Sequence, residues 1–449
     1  MVENLRNLVA GTLTCGVFIF SALNEAQALP SFARQTGMDC SACHTAFPEL
    51  TPFGRTFKLT GYTISKTNKP YQINPPPITA MLQGSYSRTN SNLPPGTAPT
   101  GYKGNDNINV PQQASVFYGG KIWDKLGAFI QITYDDVFDG IFLDNTDVRF
   151  AHTMELAGKP LIVGLTFNNN PTVQDVWNST PTWGFPWSAS NVAPTPAAAA
   201  VIDNTLSSMV GGLGIYGFWN NFLYAELTFY RTALNGYTQV LSTGTPIDTY
   251  VTGVAPYWRL YLQHQKGQHT FMVGTYGMVT HILPAGETRG TADRFTDIAL
   301  DLNYQFITKK HLFSTQATWI HEFQDWFGSY PQGAAANRSS VLDTIRINFN
   351  YYYRFHHRQT VGGTFGIFST SGVSDSLLYA PAPVSGSRTG SPNSNGFILQ
   401  AYYLPWERTK FTLQYTLYNR FNGSYSNYDG FGRNASMNNT LYLLAWLAF

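Results

Sequence analysis

Charge is scarce in this chain. Asp, Glu, Lys and Arg make up 12% of its 449 residues, against roughly 25% in ordinary soluble domains. The 28 basic and 26 acidic residues leave a net charge of +2, which gives no sign of nucleic-acid binding or of a polyanionic substrate. Long apolar runs are missing too. Beyond residue 30 none approaches the roughly 18 residues that a membrane-crossing helix needs. Cysteine is down to three, and no nucleophile triad or paired-carboxylate constellation is visible. Aromatic residues, by contrast, reach 15%. A chain that is aromatic, poor in charge and without helical spans suits a β-rich protein whose outer face is not wetted.

The first residues set the compartment. The stretch MVENLRNLVAGTLTCGVFIFSALNEAQA has Arg6 near its start, an apolar run from Leu8 to Phe20 and a small-x-small site at Ala26-Gln27-Ala28. It reads as a secretory signal peptide over residues 1–28, too short in its apolar part for an anchor helix. Cys15 leaves with it. The exported chain then keeps two cysteines, Cys40 and Cys43.

Those two stand in Cys40-Ser41-Ala42-Cys43-His44, which matches the C-x-x-C-H signature for c-type haem attachment. The spacing follows from chemistry: two thiols add to two vinyl groups, and the next residue turns its imidazole onto the iron as proximal ligand. A structural disulfide would not call for His44, and a redox dithiol belongs in a βαβ context that is absent here. One covalent haem c is therefore expected on Cys40 and Cys43, with His44 on the iron. The segment 29–77 that carries the motif is short, and Pro48, Pro52 and Pro70 interrupt any long helix. Domains of this size rarely hold a core unaided, and so few residues cannot wrap both faces of a haem. Something else must cover it.

From Ile78 the pattern is alternation. LGAFIQITY sets Leu126, Ala128, Ile130, Ile132 and Tyr134 against Gln131 and Thr133, and IALDLNYQF sets Ile298, Leu300 and Leu302 against Asp301, Asn303 and Gln305. IRINFNYYY and FTLQYTLYN repeat the scheme. Seven tight turns are legible, at Trp123–Leu126, Gly158–Pro160, Trp219–Asn221, Gln265–Gln268, Thr308–Lys310, His356–Arg358 and Pro405–Arg408. They alternate with longer segments rich in Pro, Gly, Ser and Asn, among them Asn168–Asn204 and Thr370–Asn395. Short periplasmic turns, longer external loops and an even strand number define an outer-membrane barrel. The expected fold over 78–449 is thus all-β: a transmembrane antiparallel β-barrel of about 16 strands, in the bacterial outer membrane, with both ends on the periplasmic side. The closing NNTLYLLAWLAF alternates Leu441, Leu443, Ala445, Leu447 and Phe449 and resembles the C-terminal assembly signal of outer-membrane proteins. A barrel this wide has an aqueous lumen, so the haem segment is expected to plug it from the periplasmic side.

The run FARQTGMDCSACHTAFPELTPFGRTFKLTGY, Phe32 to Tyr62, followed by a barrel, resembles the fused monohaem cytochrome–porins of bacterial outer membranes. Members of that family are implicated in extracellular ferrous-iron oxidation. The resemblance implies an electron conduit: an extracellular donor, ferrous iron among the candidates, passes electrons through the haem to a periplasmic acceptor cytochrome. Such a reaction needs no acid–base residue. A porin whose haem segment is a structural plug or gate, and a haem enzyme acting on a small molecule, are the alternatives.

Weaker signals are present as well. Met81 falls on the presumed lumen face of the first strand with Thr79, Gln83 and Ser85 and is the candidate sixth haem ligand; Met272 and Met278 share such a face on a later strand. His152 and His321 sit among apolar neighbours and suit a membrane boundary. DDVFDGIFLDNTD places Asp135, Asp136, Asp139, Asp144 and Asp147 in an expected external loop, solvated or able to dock a hard divalent cation. GLGIYG fits G-x-G-x-x-G but lies in a strand with no helix after it, so it is not a nucleotide site. HQKGQH, His264 to His269, reads as a basic turn. TPTWGFPW carries few charges, which disfavours a selective anion porin.

Overall fold

A computed structural model of the chain describes residues 30–45, 47–66, 76–98, 102, 104–137, 139–171, 173, 175–177, 190–232, 249–285, 287–356 and 359–449. The expected signal peptide and TPTWGFPW lie outside the described residues. Three short helices come first: α1 (Pro30–Thr36), α2 (Cys40–Cys43) and α3 (Pro52–Leu59). Sixteen strands follow. The first four are β1 (Ile78–Thr89), β2 (Asp106–Trp123), β3 (Leu126–Asp135) and β4 (Gly140–Leu156). Next come β5 (Lys159–Asn168), β6 (Val210–Trp219), β7 (Leu223–Thr232) and β8 (Ala255–Lys266). The second half begins with β9 (His269–Ile282), β10 (Asp293–Ile307), β11 (His311–Asp325) and β12 (Ser339–His356). The last four are β13 (Gln359–Gly372), β14 (Ser394–Trp406), β15 (Thr409–Arg420) and β16 (Thr440–Ala448).

Each strand pairs antiparallel with its sequence neighbours, and β1 pairs with β16 to close the barrel. The seam is in register from Met81↔Ala448 to Thr89↔Thr440. The seven tight turns are bounded by strands where the sequence places them, residues 357 and 358 of one lying outside the described residues, and β1 begins and β16 ends at the same end of the barrel as those turns. At Asn220-Asn221 both residues take left-handed backbone angles, φ 53° and 50°, the twist a two-stranded connection favours and asparagine tolerates. The acidic run departs from expectation. β3 extends to Asp135 and β4 begins at Gly140, so Asp144 and Asp147 lie in a strand rather than in an external loop.

The alternation resolves into two faces as read. Ile298, Leu300 and Leu302 point outward, while Asp297, Asp301, Asn303 and Gln305 are buried inside. Outward apolar side chains recur on almost every strand; Leu213 is 62% exposed and Leu300 52%. Among the described residues no helix is long and apolar enough to cross a membrane; the apolar surface belongs to the strands.

Much of the inner wall is built by tyrosines lying flat across glycines of the neighbouring strand. Gly164 is paired with Tyr216, Gly212 with Tyr230 and Gly362 with Tyr352. A Cβ at Gly212 would stand 2.2 Å from the Tyr230 ring, and one at Gly164 2.3 Å from that of Tyr216. Glycine thus makes room for an aromatic ring that would otherwise project into the lumen.

Above this wall the connection between β5 and β6 turns inward. Asp175 pairs with Arg259 of β8 at 3.3 Å, and the Val201 N–H donates to Glu322 of β11 at 2.6 Å. Asp203, in the π-helical turn Val201–Thr205, pairs with Arg346 of β12, and the Ala197 N–H reaches Asn422, just beyond β15, at 3.1 Å. Arg259 also binds Asp301 of β10 at 2.6 Å, so one buried cation ties this connection to two strands of the wall.

The tyrosine-on-glycine arrangement makes a prediction. Gly212→Val should destabilise the barrel by about 2 kcal/mol, the usual cost of overpacking, measured by denaturant unfolding in lipid. Combining it with Tyr230→Ala should recover part of that loss; simple additivity of the two changes would show that the ring is not what excludes the side chain.

Candidate functional site

The site begins with one helical turn. In α2 the His44 N–H donates to the Cys40 carbonyl at 2.9 Å, so both thiols and the imidazole are presented from one short turn. The turn is braced from below. Thr51 caps α3 by accepting from the Gly54 N–H at 3.1 Å, while its hydroxyl donates to the Ala42 carbonyl at 2.6 Å and its N–H to the Cys43 carbonyl at 2.9 Å. Pro52 occupies the first turn of α3, where its missing N–H costs nothing. A Cβ at Gly54 would come within 2.2 Å of the Cys43 carbonyl oxygen. Only glycine lets α3 sit against the motif.

A covalently attached haem would ask two things of this segment. One is a pair of thiols at the right spacing and not joined in a disulfide, which Cys40 and Cys43 provide. The other is a neutral imidazole with a fixed ring and one free nitrogen. His44 Nδ1 lies 3.2 Å from the Glu49 carbonyl oxygen; a carbonyl can only accept, so Nδ1 carries the proton and Nε2 keeps its lone pair. Burial pushes the His44 pKa down to about 4, which holds the ring in the neutral, ligating form, and burial raises the Cys43 thiol to about 11. The donor set is therefore compatible with a c-type haem.

Residues 30–66 are bound to the inner wall on several sides. Toward β14 and β15, the Cys40 N–H donates to Glu407 at 3.1 Å and Lys410 donates to the Phe47 carbonyl at 3.2 Å. The Phe47 ring lies 5.3 Å from His44 and stacks on Trp446 of β16 at 5.1 Å. Toward β11 and β12, the Glu49 carboxylate accepts from Ser314 at 2.8 Å and Asn350 at 2.7 Å, as well as from Thr45 at 2.9 Å. Burial raises the Glu49 pKa, while these donors and the Lys410 and Arg55 charges oppose the rise.

Farther along, Arg55 donates to Gln305 of β10 at 2.8 Å and lies 3.5 Å over the Trp177 ring of the inward connection. Lys58 donates to the Val173 carbonyl of the same connection. The Tyr216 hydroxyl of β6 donates to the Leu59 carbonyl at 2.7 Å, and the Tyr62 hydroxyl donates to Asp147 of β4 at 2.5 Å. Asp147 also takes the Arg149 Nε–H at 2.8 Å. Sequence reasoning offered no signal for Glu49, Arg55 or Tyr62, because their partners lie 85 to 301 positions away.

The other candidates fall as follows. Met81 lies on the lumen face and is buried beside Trp446, whose Nε1–H donates to its sulfur at 2.7 Å. It therefore shares a cluster with Phe47, one ring away from His44. Met272 and Met278 are buried on the same face of β9 but in separate clusters. His321 faces outward and pairs with Asp343 at 2.8 Å, and His152 is exposed. The five aspartates are not gathered into one site. Asp135 accepts from Gln113 and the Val137 N–H, Asp144 from Thr133, and Asp147 is held by Arg149 and Tyr62. Among the described residues no group of three or more His, Cys, Asp and Glu side chains could hold a metal ion. GLGIYG lies within β6 and HQKGQH spans the β8–β9 turn, both as read.

No family model and no curated protein matches the chain. Solved structures with a similar chain trace include a loop-deletion mutant of OmpT, an outer membrane protein of Vibrio cholerae, at 9% identity and a TM-score of 0.44, covering 83% of this chain and 98% of that one. An anion-selective porin from Comamonas acidovorans has 10% identity and a TM-score of 0.44, with 83% and 98% covered. Salmonella typhi OmpF in complex with daunomycin has 11% identity and a TM-score of 0.44, with 83% and 97% covered.

Proposed function

We propose that this protein is an electron conduit of the bacterial outer membrane, of the fused monohaem cytochrome–porin kind. Residues 78–449 span the membrane, and residues 29–77 carry one haem c within the lumen, bound through Cys40 and Cys43. The observation that carries the proposal is the His44–Glu49 contact: a C-x-x-C-H turn whose half-buried imidazole is oriented through Nδ1 by the Glu49 carbonyl. The outward apolar belt and inward polar wall are what a bilayer around a closed barrel requires. The short-turn end then faces the periplasm.

A haem bound there supplies a one-electron iron couple. The chain's own residues would set its properties. His44 would ligate the iron, and the Glu49 carbonyl would fix the ring and raise its basicity. Phe47, Trp446 and the wall of β14 to β16 would exclude water from one edge, which favours the less charged ferrous state. Met81, buried on the lumen face beside Trp446, would be the sixth ligand. The electron would enter from an extracellular donor, ferrous iron among the candidates, and leave to a periplasmic cytochrome.

A second reading, a porin with residues 30–66 as a structural plug, is favoured by the closed sixteen-strand barrel itself. The many bonds between this segment and the wall argue for a standing closure in place of an open pore. In planar bilayers the full-length protein should show no steady ion conductance; stable, open channels from unmodified protein would favour the porin.

Covalent haem should appear as one stained band on a denaturing gel. Cys40→Ala and Cys43→Ala together should abolish it while the barrel keeps its heat-modifiable mobility, and a surviving band would end the proposal. Gly54→Ala should lower haem incorporation several-fold by pushing α3 off the Cys43 carbonyl.

Met81→Ala, in haem-loaded full-length protein, should remove the thioether-to-iron charge-transfer band and admit cyanide or imidazole to the iron. An unchanged spectrum with unchanged ligand access would exclude Met81 from the coordination sphere.

A further inference from the structure

The short-turn end of the barrel is rich in lysine. At the short-turn end, Lys125, Lys159, Lys266, Lys309 and Lys310 are all exposed. They come from four separate turns, so they are spread around the rim. The acids at this end are Asp124, Glu155 and Glu407 in or beside the turns, and the exposed Asp39 next to Cys40. Two of these are already engaged: Asp124 pairs with Lys121 at 3.1 Å, and Glu407 accepts the Cys40 N–H. The rim therefore presents a positive field.

This end is also where the Cys40–His44 turn approaches the surface, through Glu407 in the β14–β15 turn and Lys410 in the first residues of β15. Aromatic side chains mark the strand ends just inside it. Trp123 is 71% exposed, and His269 stacks on Tyr304 at 6.0 Å. Such girdles sit at the membrane boundary. Lys309 and Lys310 lie in the turn beyond the strands, past that boundary.

We infer that this basic rim is a docking surface for a soluble protein electron carrier whose contact face is acidic. The inference rests on the conduit proposal for its biological sense, but its physical content is separate. A ring of like charges around the point where the cofactor-bearing turn meets the surface raises the encounter rate of an oppositely charged partner and holds it over that point. It turns away a basic carrier of equal size. The contribution falls with added salt, because exposed charges are screened beyond about 10 Å at 0.1 M.

The test uses full-length, haem-loaded protein in nanodiscs, which leave both faces open. The probes are two soluble c-type cytochromes, one with an acidic and one with a basic surface. Binding is read from co-sedimentation of the probe's own absorbance, and electron exchange is read separately by stopped flow. At about 0.02 M salt the acidic probe should bind at least about tenfold more tightly than the basic one, and at about 0.3 M the difference should largely vanish. The combined variant Lys159→Glu, Lys266→Glu, Lys309→Glu and Lys310→Glu should reverse the preference; the pair Lys309→Glu and Lys310→Glu alone should weaken it if the larger set fails to fold. Equal binding of both probes, or a preference untouched by charge reversal, would overturn the docking surface. That would leave the lysines as partners of lipid headgroups, a role visible as a changed lipid requirement of the variants. A neutral quinone oxidant separates the two ideas: acidic-probe binding with no haem reoxidation by quinone would fail the conduit and keep the surface, whereas reoxidation with no probe preference would do the reverse.

Discussion

Everything in this structure depends on closure. A sheet whose outer face is apolar has no water there to satisfy a free strand edge, so the first and last strands must find each other. They do so across the β1–β16 pairing, in register over nine residues. Once the ring is closed, the backbone is satisfied by the wall, and side chains are free to divide between an apolar outside and a polar inside. That division gives the lumen its stock of amides, hydroxyls, carboxylates and guanidiniums. The N-terminal segment is held by that stock and not by a core of its own.

The segment shows how a peptide too small to fold alone can be made rigid. Its three helices have 7, 4 and 8 residues, below the length at which a helix is stable in isolation. Their order comes from contacts with one another and with the wall. Gln35 donates to the Tyr62 carbonyl at 2.6 Å and receives the Lys121 N–H of β2 at 2.7 Å, so the two ends of the segment are clamped to each other and to the wall. Phe32 stacks on Tyr62 at 5.4 Å and meets Phe57 edge-on at 5.0 Å. These contacts leave the Cys40–His44 turn with little freedom.

Much of this was legible from residues alone, and for an identifiable reason. Strand parity and turn chemistry are local, so the seven turns, the faces of β3, β10, β12 and β15, and the inward position of Met81 could be read directly. The haem-type turn is local as well. What could not be read are pairings between distant inward side chains. Nothing near Glu49 announces that Ser314 and Asn350 will receive it, and nothing in the β5–β6 connection announces that it folds inward to Arg259 and Arg346. The acidic run misled for a related reason. Composition suggested a loop, but alternation continued through it: Asp147 and Arg149 share one face of β4 as a buried pair at 2.8 Å, and a pair of opposite charges on one face is as compatible with a strand lining a polar lumen as with solvent.

The stacking of Phe47 on Trp446 carries a consequence for biogenesis. Phe47 follows the Cys40–His44 turn by three residues, whereas Trp446 stands near the end of the chain, in the strand that completes the ring. The segment before the barrel is thus covered by the strand that closes it. The ring stack over the turn can form only once β16 has joined the sheet, so the turn stays uncovered on that side until the last strand is in place. A group attached to Cys40 and Cys43 before that moment would be enclosed by Phe47 and Trp446 in the same event that closes the barrel.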